Sequence, residues 1–180
     1  PINKIDKILF INLEHRKDRL KQINNEFNKM NFPKNKIERI NAVNEKYNGH
    51  IGCCKSHIKA MKEILKNNYK YTMVFEDDFV FTVELDEFNN TLNSFLKNKK
   101  DKWDIIQLAS VYVKFKNTDK PIKNAYKRVN RASTSSAYII NRTFVPKLLE
   151  DLETSLAKME KDMEKFNRMN NNQPKKKHQT

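Results

Sequence analysis

The sequence predicts an α/β protein with a mostly parallel sheet flanked by helices. Short apolar runs rich in β-branched residues alternate with longer segments whose apolar residues recur at helical spacing. The first three of these segments form a β-α-β unit, which implies parallel strands and a right-handed crossover. The length of 180 residues suits one domain. We expect that domain over residues 1–168 and a mobile basic tail over 169–180.

The first half of the chain holds three predicted strands and two predicted helices. The strands are 5–13, 37–43 and 71–75, and the helices are 16–30 and 53–67. The two glycines of the protein, Gly49 and Gly52, fall in a predicted loop before the second helix. Their confinement to one segment predicts a backbone that side chains would obstruct.

The second half predicts another helix over 84–96 and strands over 103–108 and 111–115. Residues 131–141 pass from small hydroxyl side chains into a short strand, and 143–169 is a predicted helix that becomes steadily more polar.

The formal net charge is +14, from 36 Lys and Arg against 22 Asp and Glu. Such a surplus favours polyanionic partners in general. Most lysines are spaced singly along predicted helices, which is typical of a solvated face. The chain has no nucleic-acid motif, no G-x-G-x-x-G and no Walker A loop, so we expect no specific nucleic acid as a partner.

The two cysteines, Cys53 and Cys54, are adjacent and cannot form an ordinary structural bridge with each other. A reducing compartment is the natural interpretation, so we expect a cytoplasmic protein, or a luminal one if an upstream signal was removed. No apolar run approaches the ~18 residues that span a bilayer. Cys53 and His57 lie four residues apart, but two further soft ligands are not visible, and zinc is not favoured.

The strongest local signal is three carboxylates, Glu76, Asp77 and Asp78, directly after a buried strand. Neighbouring carboxylates repel one another as the dielectric falls, so a cation must neutralise them or their pKa values must rise. Oxygen ligands suit Mg²⁺ or Mn²⁺, and ligand crevices of open α/β sheets lie at strand carboxyl ends. The alternative is an exposed acidic turn that caps the next element.

A second cluster follows the first strand, where Arg16 and Arg19 lie three residues apart at a predicted helix start. Guanidinium groups and helix N-terminal amides both favour phosphate oxygens. Solvated arginines at a helix start are the alternative interpretation.

Taken in order, six short segments resemble glycosyltransferase family 25, which includes bacterial lipooligosaccharide galactosyltransferases and collagen hydroxylysine galactosyltransferases. They are INLEHRKDR (11–19), RINAV (39–43), GCCKSH (52–57), VFEDD (74–78), WDIIQL (103–108) and SAYII (136–140), the last with Ala137 where the family has glycine. The abundance of Asn and Lys is similar to giant-virus members of the family.

The resemblance implies a GT-A-like fold, a UDP-sugar donor, Mn²⁺ or Mg²⁺, and transfer of galactose or glucose to a hydroxyl acceptor with inversion. Asp78 and Glu76 would hold the metal. Asp104 and Asp77 are the catalytic candidates, with Asp104 as the base unless the base lies beyond the chain end. The donor-side candidates are Asn12, Arg16, Arg19, Ser56, His57 and Glu76. The alternatives are a family lookalike without activity and a basic module that binds polyanions.

Overall fold

The computed structural model describes residues 2–100, 102–109, 112–115 and 129–171. Within them the strands are β1 (Lys7–Asn12), β2 (Ile37–Asn41), β3 (Tyr71–Glu76), β4 (Ile105–Gln107), β5 (Tyr112–Phe115), β6 (Val129–Ser133) and β7 (Ala137–Asn141). The helices are α1 (Lys17–Lys29), α2 (Gly49–Asn67), α3 (Leu85–Lys99) and α4 (Val145–Asn171). Short 3₁₀ turns occur at Ile2–Lys4, Lys34–Lys36 and Arg142–Phe144.

Five strands form one mixed sheet in the order β2-β1-β3-β7-β4. β1 runs parallel to β2 and β3, whereas β7 runs antiparallel to both β3 and β4. Strands β5 and β6 form a separate antiparallel pair. This architecture confirms the predicted α/β class and is compatible with a GT-A-like fold. The antiparallel β7 is the feature that the predicted β-α-β unit did not contain.

Helices cover both faces of the sheet, because successive strand residues point to opposite sides. One face packs against α1 and α3 through a cluster that includes Phe10, Phe27, Phe75, Phe88 and Leu92. The other face packs against α2 and α4 through a second cluster that includes Leu9, Met61, Ile64, Val74 and Ile140. The sheet is therefore the middle layer of three, and its strand ends are left to form a site.

Helix α2 begins at Gly49, four residues earlier than predicted. Asn48 caps it, since the side-chain oxygen of Asn48 accepts a hydrogen bond from the His50 amide at 3.0 Å. The helix ends at Asn67, and the next residue, Asn68, has a left-handed backbone with φ 59°. The predicted glycine loop was therefore wrong: Gly49 and Gly52 lie in the first turns of the helix.

Strand β4 is shorter than the predicted 103–108 because Trp103 packs instead of pairing. Its ring stacks on Tyr71 with centroids 5.1 Å apart, and its indole N–H donates to the Lys100 carbonyl at 2.8 Å. Residue 111 of the next predicted strand and most of the predicted tail lie outside the described residues. No helix in the described part of the chain has both the length and the apolar character to cross a membrane.

Candidate functional site

One edge of the sheet collects the carboxyl ends of β1 and β3. Because β7 is antiparallel to β3, its first residue, Ala137, pairs with Phe75 near the end of β3. The chain that leads into β7 therefore arrives at the same edge. The N-terminal turns of α2 lie against this edge too, since His57 of α2 contacts both Glu76 and Tyr138. Four separate segments of sequence meet here.

Asn12, at the end of β1, ties that strand to the acidic cluster. Its side-chain amide donates to a carboxylate oxygen of Asp77 at 2.6 Å and to the carbonyl of Arg16 at 3.2 Å. Asn12 is buried, and its own side-chain oxygen has no hydrogen-bond partner among the described residues. Asp78 follows on the exposed side. Asn12, predicted as a donor-side residue, thus directly contacts one carboxylate of the acidic cluster.

Arg16 lies beside the same carboxylates, although its own ion pair is with Asp18. Two guanidinium nitrogens of Arg16 donate to Asp18 at 2.9 and 2.7 Å. The pKa of Arg16 is raised chiefly by this hydrogen bond, and Asp77 and Asp78 contribute at longer range. Arg19 donates to Gln22 at 3.0 Å along α1. Arg16 is therefore within electrostatic range of the cluster.

The Glu76 carboxylate turns away from the next two acids and enters a hydrogen-bond network. It accepts from the hydroxyl of Ser135 at 2.9 Å, and its oxygen lies 3.4 Å from Nε2 of His57. The Ser135 hydroxyl is also 3.1 Å from that nitrogen. Glu76 is half-buried and His57 is buried. The pKa of Glu76 is lowered, first by the hydrogen bond with His57 and against the effect of burial.

Tyr138 fixes the other side of the His57 ring. Its hydroxyl lies 2.9 Å from Nδ1, and the two rings stack with centroids 5.7 Å apart. Burial alone would lower the pKa of His57, but the Cys53 thiol and the Glu76 carboxylate outweigh it and raise that pKa to about 9. Burial, with Glu76 and Cys53 nearby, raises the pKa of the Tyr138 phenol well above its ordinary value.

Cys53 completes a group that the sequence did not predict. Its sulfur, a ring nitrogen of His57 and a carboxylate oxygen of Glu76 all lie within 4.8 Å of one another. The sequence offered two of these three donors on one helix turn. Glu76 is distant in sequence from these two donors, and it lies near them because the end of β3 contacts α2. The sequence did not predict Ser135 and Tyr138 as site residues either. The feature that could have indicated them is the run of small hydroxyl residues that leads into β7.

Ser56 is a residue of α2 that supports the site through two hydrogen bonds. Its hydroxyl donates to the Gly52 carbonyl at 2.6 Å and accepts from the Val43 amide at 2.8 Å. Ser56 is 1% exposed. These contacts hold the segment after β2 against α2, so the structure places Ser56 as a positioning residue one helix turn from Cys53.

Asp104 is not brought to this edge. Its carbonyl accepts from the amide of Asn141, and Asn141 pairs with Tyr71, the first residue of β3. Glu76 is the last residue of β3, five positions further on, which is about 17 Å along a strand. Asp104 therefore lies at the opposite edge of the sheet, where a base could not reach a reaction centred on Asp77 and Asp78.

Two surface cavities also lie away from the cluster. One of about 410 Å³ lies near the start of β3 and is lined by residues that include Lys4, Lys70 and Lys97. Another of about 380 Å³ lies between β2 and α2. Neither is lined by the acidic cluster, so the convergence of polar side chains identifies the site.

Residues 44–164 match the family model described as "Glycosyltransferase family 25 (LPS biosynthesis protein)". The chain belongs to glycosyltransferase family 25. The matched segment contains Cys53, His57, the three carboxylates, Ser135 and Tyr138, whereas Asn12 and Arg16 precede it.

The chain is also similar to a curated protein named procollagen galactosyltransferase 1-A from Xenopus laevis. The two are 25% identical over 141 residues, which is 65% of this chain and 23% of that protein. The match thus spans about a quarter of the relative's length.

Proposed function

We propose that this family 25 domain transfers a hexose, galactose or glucose, from a UDP-sugar to a hydroxyl group of a glycan, a lipooligosaccharide or a hydroxylysine side chain, with inversion. The observation that carries the proposal is the contact between Asn12 and Asp77 at the carboxyl edge of the sheet, beside Asp78 and Arg16. The contact places an amide against the first of two adjacent carboxylates, and the Arg16 guanidinium lies within electrostatic range of both. Carboxylates suit a divalent cation, and a guanidinium suits a diphosphate.

The donor set fits a hard divalent cation such as Mn²⁺ or Mg²⁺. Asp78 is exposed and Asp77 is half-buried, so both can offer oxygen ligands, which these ions prefer. A cation bound there would stabilise negative charge on the departing diphosphate. Glu76 is held by Ser135 and His57, and we therefore assign direct ligation to Asp78 and Asp77.

The chain's own residues then have separable roles. Asn12 orients the Asp77 carboxylate, because its amide donates to Asp77 and to the Arg16 carbonyl at the same time. Arg16 offers a guanidinium that can leave Asp18 for a phosphate, since that ion pair is exposed and costs little to break. With Asp104 at the far edge, the proton of the acceptor hydroxyl must be taken by another group.

The test measures UDP release from UDP-galactose and UDP-glucose with and without Mn²⁺, together with calorimetric binding of UDP. We expect Asp78→Asn to lower turnover by about 10²–10³-fold, as loss of one electrostatic contact to a transition state does. Arg16→Gln should weaken UDP binding by about tenfold, as loss of one charged hydrogen bond does.

Asp162→Asn makes the same chemical change at an exposed position of α4 and is the matched control. UDP that binds without turnover would indicate a binding domain that has lost catalysis. Absence of UDP binding at millimolar concentration, with or without Mn²⁺, would overturn the proposal.

A further inference from the structure

We propose that Cys53, His57 and Glu76 form a binding site for Zn²⁺ or a similar transition-metal ion, separate from the Asp77 and Asp78 carboxylates. Thiolate, imidazole and carboxylate are the three donor types that zinc uses in proteins, and three protein ligands with one open position are typical of accessible zinc sites. The inference does not rest on sugar transfer.

The geometry is close to what such an ion requires. Zinc bonds of about 2.0–2.3 Å at tetrahedral angles separate neighbouring ligand atoms by about 3.3–3.7 Å. Nε2 of His57 and the Glu76 oxygen are 3.4 Å apart, which is long for a hydrogen bond and suited to a shared ion. The Cys53 sulfur lies within 4.8 Å of both atoms, and a rotation of its exposed side chain can shorten that separation.

The surroundings of His57 also fit a metal ligand. Metal-bound histidines commonly use the second ring nitrogen in a hydrogen bond that fixes the ring and its tautomer. Tyr138 provides that partner, with its hydroxyl 2.9 Å from Nδ1, so that Nε2 faces Glu76 and Ser135. The ring is 3% exposed and stacked on Tyr138, and its orientation is therefore fixed before any ion binds.

A fourth ligand for the ion is available beside the three proposed ones. The Ser135 hydroxyl lies 2.9 Å from the Glu76 oxygen and 3.1 Å from Nε2 of His57. This hydroxyl or a water molecule can complete the tetrahedron. An ion held there would fasten the first turns of α2 to the end of β3 and to the segment that enters β7.

The experiment titrates the reduced, metal-free protein with Co²⁺, and then with Zn²⁺ in competition. Co²⁺ bound by a thiolate gives an intense near-ultraviolet charge-transfer band, which carboxylate sites do not give. We expect this band in the wild type and its displacement by Zn²⁺. Cys53→Ser should abolish it, and Tyr138→Phe should weaken Zn²⁺ binding by about 10- to 100-fold, as loss of an outer partner does.

Cys54→Ser is the matched control, because Cys54 is the adjacent cysteine but points its sulfur at the Leu152 carbonyl of α4, 3.3 Å away. It should keep the band, as should Asp78→Asn. The inference is overturned if the wild type shows no thiolate band, if the band survives Cys53→Ser, or if Cys54→Ser removes it. Loss of UDP-sugar turnover in Asp78→Asn with the band intact separates this site from the proposed donor site.

Discussion

Replacing Gly52 with alanine tests how tightly α2 is packed against the segment that follows β2. A Cβ built at this position lies 2.6 Å from the carbonyl oxygen of Val43, whereas ordinary contact begins at 3.4 Å. The backbone must therefore separate by about 0.8 Å, and it is not free to do so because the Val43 amide donates to Ser56. Overpacking of this kind costs about 1–3 kcal/mol.

Alanine also favours a helix over glycine by about 1 kcal/mol, which offsets part of that cost. We expect Gly52→Ala to lower the free energy of unfolding by up to about 2 kcal/mol. For a domain of this size that is a fall of up to about 8 °C in the melting temperature.

Gly49→Ala is the matched control, since a Cβ there meets no atom within 4 Å. We expect it to raise stability by a few tenths to about 1 kcal/mol. Both variants are measured by urea denaturation and by thermal melting followed by circular dichroism. A Gly52→Ala protein as stable as Gly49→Ala would refute the reasoning, because the Val43 segment would then move at no cost.

Three further substitutions test the local structure that supports the site. Ser56→Ala leaves the partly buried Val43 amide without its acceptor and should cost about 1–3 kcal/mol in urea denaturation. Ser155→Ala on the exposed face of α4 should change stability by less than about 0.5 kcal/mol, so equal effects would contradict the assignment. Asn48→Ala removes the cap of α2 and should cost about 1 kcal/mol, so an unchanged melting temperature would be inconsistent with that cap. Asn68→Gly should raise the melting temperature slightly, because glycine adopts the left-handed conformation at the end of α2 without strain, and a lower value would argue against it.

The fold followed from hydrophobic patterning because most elements bury one face or both. The runs that form β1 and β3 are buried nearly throughout, and the predicted β-α-β order is the one observed. Boundaries were less accurate where a side chain decides them. The Asn48 cap extends α2 into a segment whose two glycines indicated a loop, and the packing of Trp103 on Tyr71 shortens β4.

The candidate site was predictable only where its residues are consecutive. The acids at 76–78 stand out because they directly follow a buried strand. The sequence did not show that these acids have different partners. Glu76 accepts a hydrogen bond from Ser135, and Asp77 accepts one from Asn12. Asp104 illustrates the limit. It precedes β4, whereas Glu76 ends β3, and these two strands run in the same direction because the antiparallel β7 lies between them. The two carboxylates are therefore at opposite edges of the sheet, which only the order and direction of the strands show.

The direction of β7 accounts for most of what the sequence could not predict. If β7 ran parallel to β3, Ser135 and Tyr138 would enter the sheet at the edge where Asp104 now lies. Glu76 would then lose the hydroxyl it accepts from, and His57 would lose the phenol that holds its ring. The half-buried carboxylate and the buried imidazole would each be incompletely paired, and such a buried polar group costs about 1–3 kcal/mol. The antiparallel strand and the segment that leads into it thus supply the hydroxyl groups that hold His57 and Glu76. The Cys53–His57–Glu76 group therefore lies at the same sheet edge as the Asn12–Asp77 pair, and the two groups differ in chemistry and can be tested apart.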